Sequence, residues 1–227
     1  MRRALGGRSV ETPHTYDRGF AMGLWNKAFA AGYDRFTAKS ERDCFAAHRK
    51  ALLAGAEGDV IEIGGGTGAN LPLYNGGLSS LTVTEPEKPM VKRLQHRADD
   101  VRPETTVLRA PAEDLPFDDD SFDVAVSTLV LCTVDDQPRA LRELRRVLRP
   151  GGRLLFMEHV RSEDEKLARW QDRFMPLNRA LVCGCHCNRP TLDGIRAAGF
   201  EVTQLEHDSI AHAPPFARPL IVGAAQA

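Results

Sequence analysis

The residues best suited to chemistry form a glycine-rich run between Asp59 and Leu73. The run opens with mostly apolar residues of buried-strand character at 60–63, and a turn from Gly64 to Gly68 follows at once. Glycine permits positive φ in such a turn and lets the backbone approach a ligand that a Cβ would push away. Because an apolar pattern typical of a helix start resumes after the turn, the run predicts one half of a βαβ nucleotide-binding unit.

Two ligand-binding patterns fit this loop. Residues 64–69 match Gly-x-Gly-x-x-Gly/Ala, the pattern of dinucleotide-binding proteins. Residues 62–68 match Glu-x-Gly-x-Gly-x-Gly, the loop that holds S-adenosylmethionine (SAM) in Rossmann-like methyltransferases. Both patterns expect an acidic residue about 20 positions on, at the end of the next strand, to bind ribose hydroxyls, and Glu85 stands there. A carboxylate at Glu62 would repel a pyrophosphate but suits the cationic methionine end of SAM, so it favours SAM.

Composition limits the classes of protein that this chain can belong to. Its 227 residues suit one domain. The 30 basic and 31 acidic side chains nearly cancel, so nothing indicates a nucleic-acid partner. No apolar run reaches about 18 residues, and the N-terminus lacks the apolar core of a signal peptide, so neither a membrane span nor export is predicted. We therefore expect a cytoplasmic protein whose five cysteines are thiols rather than disulfides.

The elements that must position these residues alternate between strand and helix. Amphipathic periodicity predicts helices at 87–98, 138–148 and 191–198, and a short helix that begins near Asn70. Predicted strands lie at 59–63, 81–84, 105–108, 124–131, 153–156, 200–205 and 220–224. Such alternation over more than about 100 residues predicts an α/β fold with a mostly parallel, doubly wound sheet, here of seven strands.

The same patterns divide the chain into two parts. Residues 1–54 are predicted to form a mobile arm and a helical cap, and residues 55–227 a Rossmann-like domain with a helical insertion at about 161–190. Most of the cap is best explained as packing on the sheet. Tyr33, in the run Tyr-Asp-Arg-Phe just before the nucleotide domain, is a candidate to fold back over the ligand.

Five segments resemble the class I SAM-dependent methyltransferases over about residues 55–160. They are Glu62-Ile-Gly-Gly-Gly-Thr-Gly, Glu85-Pro86, Ala112-Glu-Asp-Leu-Pro-Phe, Ser121-Phe-Asp and Leu148-Arg-Pro-Gly-Gly. Nicotinamide dehydrogenases do not share the last three segments. The segments therefore argue against interpreting the glycine loop as that of a dehydrogenase. The resemblance implies a methyltransferase that uses SAM as its cofactor.

A narrower resemblance covers the C-terminal third of the chain. It is to a bacterial branch of the family that contains the mammalian thiol methyltransferases, and it implies a small or lipid-like acceptor, with a thiol among the candidates. The segments that carry it are Glu158-His-Val-Arg, Arg169-Trp-Gln-Asp, Gly184-Cys-His-Cys-Asn-Arg and Ala198-Gly-Phe. Two alternatives stay open: a phospholipid or quinone methyltransferase, and a SAM-binding module without catalysis.

The resemblance to class I methyltransferases also implies which residues bind SAM. Glu85 would take the ribose hydroxyls, and Pro111 stands where the family usually has an aspartate, so Glu113 is the candidate to compensate at the adenine. The other implied contacts are Tyr33, Glu62, Gly64, Gly66, Gly68, Asn70, Pro86, Met90, Ala112, Ser127 and Leu129.

The chemistry of methyl transfer demands little from the protein. SAM carries its own leaving group, so orientation of the acceptor can do most of the work, and a base is needed only for a protonated acceptor. His159, at the end of the fifth predicted strand, is the candidate catalytic base, and a histidine hydrogen-bonded into the fold is the alternative. Candidates to line an apolar acceptor pocket are Trp25, Trp170, His186 and Asn188, with core packing as the alternative for each.

The run Cys183-Gly-Cys-His-Cys raises the question of a metal. Alternate cysteines are too close together to wrap one tetrahedral zinc ion, and the chain has no second pair of the type Cys-x-x-Cys. The sequence therefore predicts no metal here. Cys132, at an apolar strand end, is expected to be a small core residue.

Overall fold

A computed structural model describes residues 41–181, 185–210 and 213–227. Tyr33, Trp25, Cys183 and most of the predicted cap lie outside these residues. Within the described ranges, no helix combines the length and the apolar character needed to cross a membrane.

The predicted seven-stranded, mostly parallel sheet is confirmed. Its strands lie in the order β3-β2-β1-β4-β5-β7-β6, and β7 runs antiparallel to both of its neighbours. Their bounds are β1 Gly58–Ile63, β2 Leu78–Thr84, β3 Thr106–Leu108, β4 Phe122–Thr128, β5 Leu148–His159, β6 Glu201–Ser209 and β7 Pro219–Gln226. The α-helices are α1 Ala46–Leu53, α2 Lys88–Val101, α3 Gln137–Val147, α4 Glu165–Leu181 and α5 Thr191–Ala197.

Helices cover both faces of the sheet, and α2 and α3 bury apolar residues of the stripes that their periodicity predicts. On one face α3 packs Leu141 and Leu144 into a cluster with Phe156 of β5. On the other face Leu53 of α1 and Leu94 of α2 pack over β1 and β2. The start of α3 is also locally encoded, because the Asp136 side chain accepts a hydrogen bond from the backbone N–H of Arg139 at 3.0 Å.

Several predicted boundaries differ from the observed ones, and three elements show the largest or most informative differences. The helix expected from Asn70 is a single 3₁₀ turn, Leu71–Leu73, because the chain is already extended at Tyr74. Strand β4 ends at Thr128 rather than at residue 131, because Leu129 adopts a positive φ of 62° that cannot continue a strand. Strand β5 spans Leu148–His159 rather than 153–156, since pairing with β4 and β7 extends it at both ends.

Candidate functional site

A cavity of about 450 Å³ opens at the carboxyl ends of the central strands. This is where ligands bind in open α/β sheets, at the point where the strand order reverses. Five of the predicted cofactor residues line it, together with residues of the N-terminal helix that were not predicted. The wall includes Glu62, Gly64, Gly66, Asn70 and Leu129 from the first group, and Phe45 and Arg49 from the second.

The glycine loop has the backbone that its composition predicts. Gly64 and Gly66 have φ of 59° and 57°, in the left-handed region that side chains disfavour. A Cβ on Gly64 would come within 2.6 Å of the Val130 side chain, so close packing also requires glycine there. Among the described residues, a Cβ on Gly66 would meet only the carbonyl oxygen of Gly64, at 4.0 Å. The loop therefore presents bare backbone at Gly66, on the wall of the cavity.

Glu85 ties the end of β2 to this loop. Its carboxylate accepts hydrogen bonds from the backbone N–H groups of Gly66 and Glu87, each at 3.0 Å. The carboxyl group is buried, and burial raises its pKa to about 7, although the two hydrogen bonds oppose the shift. Among the described residues, the hydrogen-bond donors that hold Glu85 close to the loop are both backbone N–H groups.

Glu62 lies in a buried network of side chains. Its two carboxylate oxygens accept hydrogen bonds from Asn70 Nδ2 at 3.0 Å and from the Tyr74 hydroxyl at 2.6 Å. Arg49 Nη1 in turn donates to Asn70 Oδ1 and to Thr128 Oγ1, both at 2.8 Å. Burial raises the pKa of Glu62, while the Tyr74 hydroxyl, the Arg49 charge and Asn70 lower it. The network joins α1, β1, the glycine loop and the end of β4 around the cavity.

Arg49 and Tyr74 are members of this network that the sequence prediction missed. Arg49 lies four residues after Phe45 and four before Leu53, on the apolar stripe of its helix. The sequence signal that could have identified Arg49 is therefore a basic residue on the apolar stripe of a helix. Tyr74 follows an irregular loop, where periodicity carries no information.

Other predicted cofactor residues lie near the carboxyl ends of β2 and β3, and they are absent from the wall of the cavity described above. Pro86 precedes α2, Met90 lies in the first turn of that helix, and Ala112 is buried in the loop after β3. Glu113 Oε1 accepts hydrogen bonds from the backbone N–H groups of Asp135 and Asp136, at 2.9 and 3.3 Å. In this conformation that oxygen therefore tethers the loop before α3.

Glu158 is a third residue that the prediction missed. It is fully buried at the end of β5, and the Ser127 hydroxyl donates to its Oε1 at 2.6 Å. The backbone N–H groups of Val130, Leu131 and Cys132 also donate to its carboxylate, each at 3.1 Å. Burial raises the pKa of Glu158, and these four donors oppose that shift. Glu158 thus holds the turn that follows β4, and it also accepts a hydrogen bond from Ser127 near the end of that strand.

His159, the candidate base, lies at the end of β5 between two thiols. Its Nδ1 is 3.4 Å from Cys185 Sγ and 3.8 Å from Cys132 Sγ. Enclosure of the ring lowers the pKa of His159 to about 4, so the imidazole is neutral near pH 7.

Three of the predicted acceptor-lining residues lie in the described part of the chain, outside the wall of the cavity: Trp170, His186 and Asn188. Trp170 is 54% exposed on α4, with its ring centroid 5.0 Å from that of Phe174. Asn188 Nδ2 donates to Oδ1 of Asp172, which also belongs to α4, at 2.9 Å. His186 lies closer to the thiol cluster, because its backbone N–H donates to the carbonyl of Cys132 at 2.7 Å.

The residues around the cavity fit SAM. A loop without a side chain at Gly66 allows a ligand to approach the backbone, and the buried carboxylate of Glu85 is suited to accept hydroxyl donors. The buried carboxylate of Glu62 is suited to a cationic group nearby.

Comparison with known proteins agrees with this fit. A family profile described as "Methyltransferase domain" matches residues 61–156. The human thiol S-methyltransferase TMT1A is 34% identical over 220 residues, which cover 89% of this chain and 88% of the relative. The human thiol S-methyltransferase TMT1B is 38% identical over 179 residues, covering 75% and 70%. The ubiquinone/menaquinone biosynthesis C-methyltransferase UbiE of Vibrio parahaemolyticus is 32% identical over 168 residues, covering 64% and 65%.

Solved structures give the same result. One of them is a SAM-dependent methyltransferase of Thermotoga maritima, described as a possible histamine N-methyltransferase. It superposes with a TM-score of 0.66 at 25% sequence identity, and the superposition covers 88% of this chain and 97% of the Thermotoga chain. The expected class I methyltransferase fold is confirmed, and SAM is the cofactor. The chain belongs to the family of SAM-dependent methyltransferases that contains the human thiol S-methyltransferases.

Proposed function

We propose that this enzyme transfers the methyl group of SAM to the sulfur of a small apolar thiol. One observation carries the proposal: the similarity to the human thiol S-methyltransferase TMT1A covers 89% of the chain. It therefore extends well beyond residues 61–156, which match the general methyltransferase domain. Residues outside that domain are the ones expected to differ between enzymes with different acceptors.

The geometry supports assigning different residues to different parts of SAM. SAM supplies an electrophilic methyl group and departs as a neutral thioether. We assign the ribose hydroxyls to Glu85 and the amino end to Glu62, which Asn70 and Tyr74 hold in place. The bare loop at Gly64, Gly66 and Gly68 would line the ligand between these two carboxylates.

The remaining predicted residues are assigned to the other parts of SAM. The adenine side is assigned to Pro86, Met90, Ala112 and Glu113, with Ala112 acting through its backbone. Ser127 and Leu129 are assigned to the end of β4 beside the sulfonium.

Methyl transfer to a thiol asks for little acid–base assistance. The thiolate is the nucleophile, and a thiol as acidic as the cysteine side chain, with a pKa near 8.5, is already ionised to a few per cent at pH 7. A simple alkyl thiol is a weaker acid and ionises less. The proposal therefore depends on orientation rather than on a base. His159 stays a candidate to accept the thiol proton, since its imidazole is neutral near pH 7.

A second candidate function is methylation of a quinone-like ring carbon. The similarity to the Vibrio parahaemolyticus C-methyltransferase favours it, but that similarity covers only 64% of this chain. Location in the cytoplasm and the division at residue 54 stay predictions from the sequence.

The test is release of S-adenosylhomocysteine from the purified full chain with SAM and one acceptor at a time. The acceptors are a simple alkyl thiol, a phenol, a short-chain quinol and none. We expect turnover with the thiol, and the methyl thioether as its product by mass spectrometry. Turnover with the quinol alone would replace the proposal with the second candidate. SAM binding by calorimetry without turnover on any acceptor would support a non-catalytic module.

A further inference from the structure

Three side chains from separate parts of the fold meet at the carboxyl ends of β4 and β5. They are Cys132, in the turn after β4, His159, at the end of β5, and Cys185, in the segment before α5. Their Sγ and Nδ1 atoms all lie within 4.8 Å of one another. We propose that these three residues, the Cys-His-Cys trio, bind a thiophilic divalent cation, namely Zn²⁺. The proposal goes beyond methyl transfer and does not depend on the identity of the acceptor.

The distances in the trio are those of one face of a tetrahedral zinc site. Zn–S bonds of about 2.3 Å and Zn–N bonds of about 2.0 Å, at tetrahedral angles, separate two sulfurs by about 3.8 Å and a sulfur from a nitrogen by about 3.5 Å. Here the two sulfurs are 3.7 Å apart, and the sulfur–nitrogen distances are 3.4 and 3.8 Å. A metal ion could therefore bind with little movement of the three ligand atoms.

The backbone that carries the two cysteines is held in place. The N–H of Cys132 donates to the buried Glu158 carboxylate, and its carbonyl accepts from the N–H of His186 at 2.7 Å. Gln171 Nε2 donates to the carbonyl of Cys187 at 2.8 Å. Arg189 Nη1 donates to the carbonyl of Leu131, next to Cys132, at 2.9 Å. Such outer contacts orient metal ligands before the ion arrives.

The charges of the trio also suit zinc. Cys132 and Cys185 are buried, in an apolar cluster with Cys187, where an isolated thiolate would be costly. Binding of Zn²⁺ would release two thiol protons to solvent, and two thiolates with one neutral imidazole then balance the charge of the ion. Three protein ligands leave a fourth position for an exogenous ligand. His159 would act in this site as a ligand through Nδ1, not as a base through that atom.

The test is the zinc content of the full chain, purified from zinc-supplemented culture without a polyhistidine tag. We expect equimolar zinc in the wild type, and several-fold less in Cys132→Ser and in Cys185→Ser. The matched control is Cys44→Ser, which removes a buried thiol that lies near His48 and Asp208, away from the trio. We expect it to keep its zinc.

Because a cysteine variant can lose metal by unfolding, exchange of Co²⁺ into the wild type provides a second measurement. We expect intense tetrahedral d–d bands and thiolate-to-cobalt charge-transfer bands, with no change in far-ultraviolet circular dichroism. Wild-type protein that carries no zinc and shows no such bands would overturn the proposal. So would zinc that persists in both trio variants, or zinc that is lost from Cys44→Ser instead.

Discussion

Glu62 and Glu85 are buried carboxylates at the ends of the neighbouring strands β1 and β2, but their partners differ. Side chains hold Glu62, through Asn70, Tyr74 and the nearby charge of Arg49. In the described part of the chain, Glu85 is held by two backbone N–H groups, and its pKa is raised to about 7. Glu85 is therefore a group whose charge changes near physiological pH.

We expect the affinity for SAM to depend on pH through Glu85. Ribose hydroxyls donate to a carboxylate, so SAM binds the ionised form and competes with the proton. Affinity should rise as pH increases from 6 to 8 and level off above the pKa, with a slope of up to about tenfold per pH unit below it. Glu85→Gln should bind roughly tenfold or more weakly at pH 8, the scale of a charged hydrogen bond.

Isothermal calorimetry across this pH range measures both effects. Ionisation of SAM itself acts equally on both proteins, so the ratio of their affinities isolates the contribution of Glu85. A ratio that does not change with pH would contradict the assignment of the ribose to Glu85.

At the scale of elements, one side chain organises the turn between β4 and α3. Leu129 leaves the strand with a φ of 62°, and the next three backbone N–H groups converge on Glu158 of β5. A left-handed non-glycine residue costs of order 1 kcal/mol, which the converging hydrogen bonds offset. The same turn carries Leu129 to the wall of the cavity and Cys132 to the thiol cluster.

Glu158→Gln should therefore destabilise the fold. An amide nitrogen cannot accept a hydrogen bond, so at least one buried N–H donor loses its partner, at a cost of about 2 kcal/mol. The free energy of unfolding from urea titration measures the loss. Glu206→Gln, at an exposed position of β6, is the control and should change stability by less than about 0.5 kcal/mol. Equal stability of the two variants would contradict the role given to Glu158.

At the scale of the whole molecule, the antiparallel strand β7 lies between β5 and the edge strand β6 and pairs with both. Gly223 of β7 lies opposite Phe156 of β5 and Leu205 of β6. A Cβ there would collide with the carbonyl oxygen of Gln204 and would come within 2.7 Å of the Phe156 ring. The backbone of Gln204 and the fully buried Phe156 leave little room to adjust.

Gly223→Ala is thus expected to lower the free energy of unfolding by about 3 kcal/mol, because overpacking forces both neighbouring strands to shift. Gly76→Ala is the matched control, since a Cβ at Gly76 meets no atom of the residues that the structure describes within 4 Å. Thermal unfolding of the two variants compares them directly. A similar melting temperature for both variants would show that β7 and its neighbouring strands can shift enough to accept the extra methyl group, and it would contradict this prediction.

The sequence alone was enough to predict the sheet, the glycine loop and the position of Glu85. These features depend on local order: the periodicity of apolar residues, the run Gly64 to Gly68, and an acidic residue at a strand end. Exact boundaries were less predictable, because pairing with neighbours extended β5 and the backbone of Leu129 shortened β4.

Only the tertiary structure decided which distant side chains meet. The order of the strands places β4 beside β5, which brings Cys132 to His159, and the segment before α5 adds Cys185. The sequence prediction of no metal considered the cysteines of one short run, whereas the trio draws only one of its members from that run. Arg49 joins Asn70 and Thr128 in the same way. Periodicity reports the face that a residue occupies, but packing of separate elements decides what lies opposite that face.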